Sequence, residues 1–341
     1  MQAESPTLPP EALLMRLGTG YWTSQTLAVA ARTEMLEQLL DGPLPAGQVA
    51  QKAGLQAEPT ERVLRGCAVA EVTRELETGV FELTDLGRAL TRNHPRSMRD
   101  AIIMLGDPGH WLPWGHLEHT VRSGEAAYRK ALGVENVFHY FDARPEEAER
   151  FHRSMLSMTG AFIAQLESAY DFTPYQTIAD IGGGHGLLLG SVLRWAPRSR
   201  GVLFDQPDVV DGASEQLKSL GVVDRVSRVG GSFFESIPAG ADLYMMKHIL
   251  HDWNDEQCQT ILDNLRKVIE PSARLLVMDC LLADPPATSE AALMDLNMMV
   301  MTGGRERRQS DFAAMFTRSR FQLTQVVRLP GLAQLIEAAP V

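Results

Sequence analysis

Apolar and polar residues alternate along this chain in two different rhythms, and the change of rhythm divides it. Between residues 11 and 40 the apolar positions Leu13, Leu14, Leu17, Leu27, Val29, Met35, Leu36, Leu39 and Leu40 recur at helical spacing, which predicts two helices. The stretch "GQVAQKAGLQAEPTERVLRGCAVAEV" predicts two short helices joined at the Gly54 turn, and "VTRELETGVFELT" predicts a hairpin around Thr78 and Gly79. Helix, turn, helix, hairpin is the order of a winged helix. A connecting region from 95 to 170 is rich in aromatics and histidines, as in "GHWLPWGHLEH" and "NVFHYFDARPEEAERFHRSMLSM". Helical spacing there puts Phe151, Met155 and Met158 on one face, and on pattern alone a core stripe is a better reading than a ligand wall.

After residue 175 strands and helices alternate. Short β-rich runs fall at 177 to 181, 201 to 205, 226 to 229, 242 to 247 and 274 to 282. Between the last two, "NDEQCQTILDNLRKVIE" places Cys258, Ile261, Leu262, Leu265, Val268 and Ile269 on one helical face, with Asn254 and Gln257 as a capping box. This alternation predicts a parallel sheet covered by helices on both sides, an α/β fold that holds ligands beyond the carboxyl ends of its strands.

The length of 341 residues fits two domains with a link between them, which the rhythm divides at 1–95, 96–170 and 171–341. A formal charge of -11 disfavours nucleic-acid backbones as partners. The second helix of the winged unit offers Arg62 and Arg65 but no basic cluster, so a dimerisation or packing module is a better reading than DNA binding. Cys67, Cys258 and Cys280 are widely spaced and odd in number, which suggests neither disulfides nor a zinc knuckle and fits the reducing cytoplasm. Neither an export signal nor a membrane span is expected, for no basic stretch leads into an apolar one at the start and no long apolar run follows.

The sharpest chemical signal is "IADIGGGHGLLLGSVL", residues 178 to 193, where a strand breaks into glycines and resumes as a helix. The dinucleotide fingerprint GxGxxG fails, because Leu187 or Leu189 stands where its third glycine belongs. Asp205, at the end of the second strand, is where a carboxylate binds ribose hydroxyls. Asp180, just before the turn, would repel a pyrophosphate but attract a cationic amino acid. A ligand with adenosine at one end and an ammonium and a sulfonium at the other suits both carboxylates, and that ligand is S-adenosylmethionine (SAM).

Read in order, "IADIGGGHG", "GVLFDQPDVV", "VGGSFFESIPAGADLYMMKHILHDWND" and "GGRERRQSDF" closely resemble the O-methyltransferase family that includes plant caffeate and flavonoid enzymes and bacterial polyketide-tailoring enzymes. The resemblance extends over nearly the whole chain. It implies a Rossmann-like seven-stranded SAM-methyltransferase sheet whose last strand is inserted antiparallel, with an N-terminal, α-rich winged-helix domain that forms a homodimer. It also implies that Gly182 and Gly184 let the backbone approach the cofactor, that Asp205 binds its ribose, that Ser232 and Phe233 flank its adenine and that Lys247 lies close by. His251 in "KHILHDW" matches the general base, and Asp279 and Glu306 match its two carboxylate partners. Asp252 matches a residue near the substrate, an aromatic natural product. Asn297 and Met298 in the methionine-rich "LMDLNMMVMTGG", with Phe151, Met155 and Trp253, are candidates for the acceptor pocket.

The chemistry suits a histidine. Methyl transfer from a sulfonium needs an oxygen nucleophile whose proton leaves, and an imidazole of pKa ~6.5 can accept hydrogen from a phenol of pKa ~10 when the two are hydrogen-bonded. A carboxylate partner fixes the tautomer and stabilises the imidazolium. His248 and His251 form HxxH without a third ligand at metal spacing, so no metal is expected. Two residues depart from the family pattern, which commonly has aspartate at Ser232 and glutamate at Asp279. The first departure predicts weaker cofactor binding, by about tenfold. The second leaves open whether the shorter side chain reaches His251 directly or through water. Two other readings compete: a SAM-binding relative that does not methylate, and a winged-helix regulator with a vestigial cofactor fold.

Overall fold

The computed structural model describes residues 8–135, 139–284 and 290–341. Residues 1–7, on which the expectation of no export signal partly rests, and Val137 and Phe138 of the aromatic link lie outside the described residues. The chain folds as two compact units, Met1–Trp111 with Phe141–Met158, and Leu112–Tyr140 with Thr159–Val341. Residues of the segment 96–170 fall in both units.

The first unit begins with helices Pro10–Gly18 and Gly20–Arg32. The second helix stops earlier than the apolar spacing suggests. Thr33 turns its hydroxyl back onto the Val29 carbonyl, Glu34 takes a left-handed φ of 58°, and its carboxylate pairs with Arg92 and Arg99. Met35, Leu36 and Leu39 therefore enter the core from a turn and the 3-10 segment Glu37–Leu39. Strand β1 (Leu44–Pro45), helices Ala46–Ala53 and Ala57–Val69, and strands β2 (Thr73–Glu77) and β3 (Val80–Leu83) follow in winged-helix order. The antiparallel sheet runs β1-β3-β2, and Gly54 ends the first of these helices with a left-handed φ of 69° that suits glycine. Phe81, Leu64, Cys67 and Val49 are fully buried around it, whereas Leu14, Met15, Leu17 and Trp22 on the first two helices stay at least 60% exposed.

The second unit is built on β4 (Thr177–Ile181), β5 (Arg200–Asp205), β6 (Val226–Gly230), β7 (Leu243–Lys247), β8 (Arg274–Leu282), β9 (Arg307–Arg308), β10 (Phe321–Val327) and β11 (Ala333–Pro340). The strands follow the order β10-β11-β8-β7-β4-β5-β6, with β9 paired to the end of β8. Only β11 runs against its neighbours β8 and β10, so the last strand is inserted antiparallel between them. All five β-rich runs of the sequence are strands.

Alternate residues feed two cores. Ile178, Leu243, Met245, Leu276 and Met278 face one layer; Ala179, Ile181, Tyr244, Met246, Leu275 and Val277 face the other. Burial on both faces explains why these strands read as continuous apolar runs. The helix Asp255–Val268 carries the expected capping box of Asn254 and Gln257 and buries Cys258, Ile261, Leu262 and Leu265. Sheet order reverses direction at β4, whose neighbours are β5 on one side and β7 on the other, and a crevice outside the carboxyl ends of the strands is expected there. No helix among the described residues is long and apolar enough to cross a membrane.

Candidate active site

At the end of β4 the chain turns through Gly182 to Gly186 before the helix Leu187–Trp195 starts. Gly182, Gly184 and Gly186 adopt φ values of 72°, 58° and 79°, a region that side chains rarely enter. A methyl group on Gly182 would sit 2.3 Å from Ile249, and one on Gly183 would sit 2.7 Å from the Asp180 carboxylate. Nothing in the sequence singles out Gly183, yet it is what lets Asp180 fold under the turn. The turn is fastened to β5: the Gly182 N–H donates to the Phe204 carbonyl (2.8 Å) and the Gly184 N–H to Asp205 Oδ2 (2.8 Å).

Asp180 is buried, and its Oδ2 has no hydrogen-bond partner among the described residues. Burial, and next the charge of Asp205, push its carboxyl up to about 7, although Lys247 pulls the other way. A buried anion with an unpaired oxygen is costly, and a cation brought beside it removes that cost. Lys247, at the end of β7, is itself held down at about 8 by burial, against the attraction of Asp279 and Asp180. The Ser232 hydroxyl accepts from the Phe234 N–H at 3.3 Å. Phe233 packs at the core edge with Phe234 and Trp253, and Trp253 meets Phe234 edge-on at 4.7 Å.

Just past β7 the segment 248–252 brings the titratable groups together. His251 is buried, and its Nδ1 lies 2.8 Å from Glu306 Oε1. On the other side of the ring, Nε2 is 3.8 Å from Asp252 Oδ1. Burial alone would lower the imidazole pKa, but the charges of Asp279, Asp252 and Glu306 outweigh it and raise it to about 9. Burial first raises the carboxyls in turn, Asp279 to about 7 and Asp252 to about 6. Asp279 is wholly buried on β8, and neither of its oxygens has a hydrogen-bond partner among the described residues. Glu306 is therefore the carboxylate hydrogen-bonded to His251, and Asp279 acts on it through space.

The segment 304–307 braces this arrangement, a role the sequence did not reveal. A methyl on Gly304 would collide with the His251 carbonyl at 1.9 Å. The Arg305 N–H donates to that same carbonyl (2.9 Å), and the Glu306 N–H donates to Asp295 (2.8 Å). Arg307 is 1% exposed and donates to the carbonyls of Leu250 (2.8 Å) and Trp253 (2.9 Å) and to Asp255 (2.8 Å). Its only sequence signal was its place in "GGRERR".

The candidate acceptor residues divide. Asn297 and Met298 lie on the helix Ala291–Met301, where Asn297 accepts a hydrogen bond from Trp114 Nε1 (3.1 Å) and Met298 is buried. Phe151 and Met155 belong to the first unit, on the helix Pro145–Leu166; both are half-buried, and Phe151 stacks on Phe141 at 4.8 Å. Among the described residues no group of three or more side chains is arranged to hold a metal ion.

A domain that keeps a glycine turn, an aspartate at the end of the next strand and a histidine with a carboxylate partner on this strand order belongs to the class of SAM-dependent methyltransferases. Residues 114–322 match the family model of the O-methyltransferase domain, and residues 15–93 match that of the O-methyltransferase dimerisation domain. The chain is 36% identical over 334 residues to the phenazine O-methyltransferase of Lysobacter antibioticus, covering 98% of this chain and 97% of the relative. It is also 36% identical over 301 residues to the mitomycin biosynthesis 6-O-methyltransferase of Streptomyces lavendulae, covering 88% and 86%. The crystal structure of human N-acetylserotonin methyltransferase in complex with SAM superposes with a TM-score of 0.90 at 26% identity and covers 99% of each chain. The protein belongs to the O-methyltransferase family and is a SAM-dependent enzyme.

Proposed function

We propose that this enzyme methylates a hydroxyl of an aromatic natural product and that His251 is the base that takes the hydroxyl proton. The observation that carries the proposal is the His251–Glu306 hydrogen bond of 2.8 Å, made where the segment after β7 meets the glycine turn through Ile249. Relatives whose names record phenazine O-methylation and mitomycin biosynthesis support the acceptor class and a role in antibiotic biosynthesis.

When bound, SAM supplies an activated methyl group on a cationic sulfur. The protein's own residues do the remainder. Asp205 takes the ribose hydroxyls, while Gly182 and Gly184 give the cofactor access to the backbone. Asp180 meets the cationic amino-acid end, which answers its unpaired oxygen. Ser232 and Phe233 flank the adenine and Lys247 lies beside the cofactor. Glu306 accepts from His251 Nδ1–H, which fixes the tautomer and leaves the Nε2 lone pair to receive the acceptor's proton. Asp279 and Asp252 stabilise the imidazolium that results, and Asp252 also stands next to the acceptor. Asn297, Met298 and Trp253 are the residues proposed to meet the acceptor. Alignment of oxygen, methyl and sulfur can contribute about 7–11 kcal/mol in favourable cases.

The same reading makes the protein a cytoplasmic homodimer. The exposed apolar face of the first two helices and the match to a dimerisation domain support the homodimer. The test is to incubate wild type and His251→Ala with methyl-labelled SAM and a panel of hydroxylated aromatics. Label should move to oxygen with wild type and slow by about 10²-fold or more with the variant. Transfer unaffected by the substitution would remove His251 from the mechanism.

A further inference from the structure

His248 is a residue that the proposed reaction does not use. Its backbone adopts a left-handed φ of 54°, a conformation costly for a residue with a side chain, and its N–H is pinned to the Met278 carbonyl on β8 at 3.0 Å. That backbone sets its ring nearly parallel to the His251 ring, at 24° and 5.0 Å between centroids. Its Nδ1 lies 3.1 Å from Lys247 Nζ. An ammonium has hydrogens and no lone pair, so Lys247 donates and Nδ1 accepts. In the neutral ring the proton is then on Nε2. Burial, then Lys247 and His251, hold the pKa of His248 well below the usual imidazole value, which keeps the ring neutral.

The Nε2 of His248 is shut away from solvent and has no hydrogen-bond partner among the described residues. A buried N–H without an acceptor costs stability unless something else satisfies it. The two stacked rings are thus a matched pair. Each has its δ nitrogen engaged by the protein, His251 with Glu306 and His248 with Lys247. One ε nitrogen offers a lone pair and the other a hydrogen, on two nearly parallel rings whose centroids lie 5.0 Å apart.

We infer that His248 is a specificity-determining residue whose Nε2–H donates to an oxygen adjacent to the hydroxyl that is methylated, so that the enzyme prefers aromatic acceptors with two neighbouring oxygens. The inference rests on the proposed role of His251 and adds the acceptor class to it. A lone phenol leaves the His248 N–H unsatisfied. A vicinal diol or an ortho-hydroxy carbonyl compound meets both nitrogens.

The full-length enzyme can be assayed with SAM and with pairs of arenes of one, two and three rings, each pair being the vicinal diol and the hydroxy-methyl arene of the same size. Wild type should favour the diol by about tenfold in kcat/KM in each pair that is turned over. His248→Phe keeps a flat ring against His251 but lacks the N–H, and the diol-to-methyl ratio should fall towards one. His248→Asn tolerates the left-handed backbone and keeps a donor, so it should retain part of the ratio. A structural role alone would change the rates with both members and leave the ratio where it was. Wild type with no preference, or a ratio that survives His248→Phe, overturns the inference while the methyltransferase reading stands. No methylation of any hydroxyl in the panel would defeat both.

Discussion

His251 and Glu306 are 55 residues apart in the chain, and Nδ1 of the imidazole lies 2.8 Å from Oε1 of the carboxylate. The contact depends on backbone on both sides: the Arg305 N–H holds the His251 carbonyl, and Asp295 holds the Glu306 N–H. The buried histidine therefore keeps one tautomer, and its proton affinity is set by carboxylates rather than by solvent.

That electrostatic setting fixes the direction of the pH dependence. Despite burial, Asp279, Asp252 and Glu306 raise His251 to about 9, and the base proposed here works only when unprotonated. Activity should therefore rise with pH, on a limb that levels off near that value. In Glu306→Gln one of the three charges is lost, so the limb should move to lower pH while kcat falls by about 10²-fold. A pH series of kcat/KM for the two proteins reads the shift. A drop in rate with an unmoved limb would mean that Glu306 only shapes the loop.

Asp180 is expected to trade stability for cofactor binding. Its folded-state carboxyl, near 7, lies above the unfolded value of about 3.9, so the folded protein resists its ionisation. The stability cost is absent below pH 4, grows as pH rises to 7 and is full above it. Asp180→Asn should accordingly stabilise the cofactor-free protein at pH 8 by about 1–3 kcal/mol and leave it unchanged at pH 4. The same variant should bind SAM at least tenfold more weakly, since the amide carries no charge for the cationic end. Denaturant melts at both pH values, with a cofactor titration, decide it; a variant destabilised at pH 8 would contradict the account.

Most of the sheet was legible because its strands are buried on both faces, which leaves long apolar runs such as 243–247 and 274–282 with few competing interpretations. Strand direction has no periodic signature, so the antiparallel insertion of β11 came from resemblance alone. Met35, Leu36 and Leu39 show the converse failure: their helical spacing is real, but a left-handed Glu34 breaks the helix and a 3-10 turn delivers them to the core. At the site, motif order pointed to Asp279 and Glu306 as partners of His251, yet could not say which one touches it. That depends on the backbone of 304–307, where a glycine and an arginine act through carbonyl groups that no sequence pattern records. Phe151 and Met155 remain expectations, since they lie in the other compact unit.

Arg307 should be as necessary to the catalytic loop as His251 is to the chemistry. It is buried and its guanidinium ties the carbonyls of Leu250 and Trp253, on either side of His251, to Asp255. Arg307→Met fills much of the space but leaves those carbonyls unpaired, which should cost about 2–4 kcal/mol in unfolding free energy. Activity should fall even where the variant remains folded, because His251, the proposed base, is no longer held. Thermal melts and kcat measured well below the variant's Tm separate the two effects; full activity in a destabilised protein would limit Arg307 to folding.

Ser232 provides the most direct check on how the adenosine end is held. Its hydroxyl accepts weakly from the Phe234 N–H, at 3.3 Å, and so is not committed to the protein. A hydroxyl can hydrogen-bond the adenine, but a carboxylate in its place makes a charge-assisted bond, and the two differ by about 1–1.5 kcal/mol. Ser232→Asp should therefore tighten SAM by about tenfold. The position is half-buried, so the new charge should cost little in folding. Calorimetric titration of SAM into both proteins, with S-adenosylhomocysteine as a second ligand carrying the same adenosine, tests the source of the gain. Both ligands should tighten equally if the carboxylate acts on the adenine. Tightening of SAM alone would mean that the added charge acts on the sulfonium, and no tightening at all would mean that this serine does not contact the cofactor.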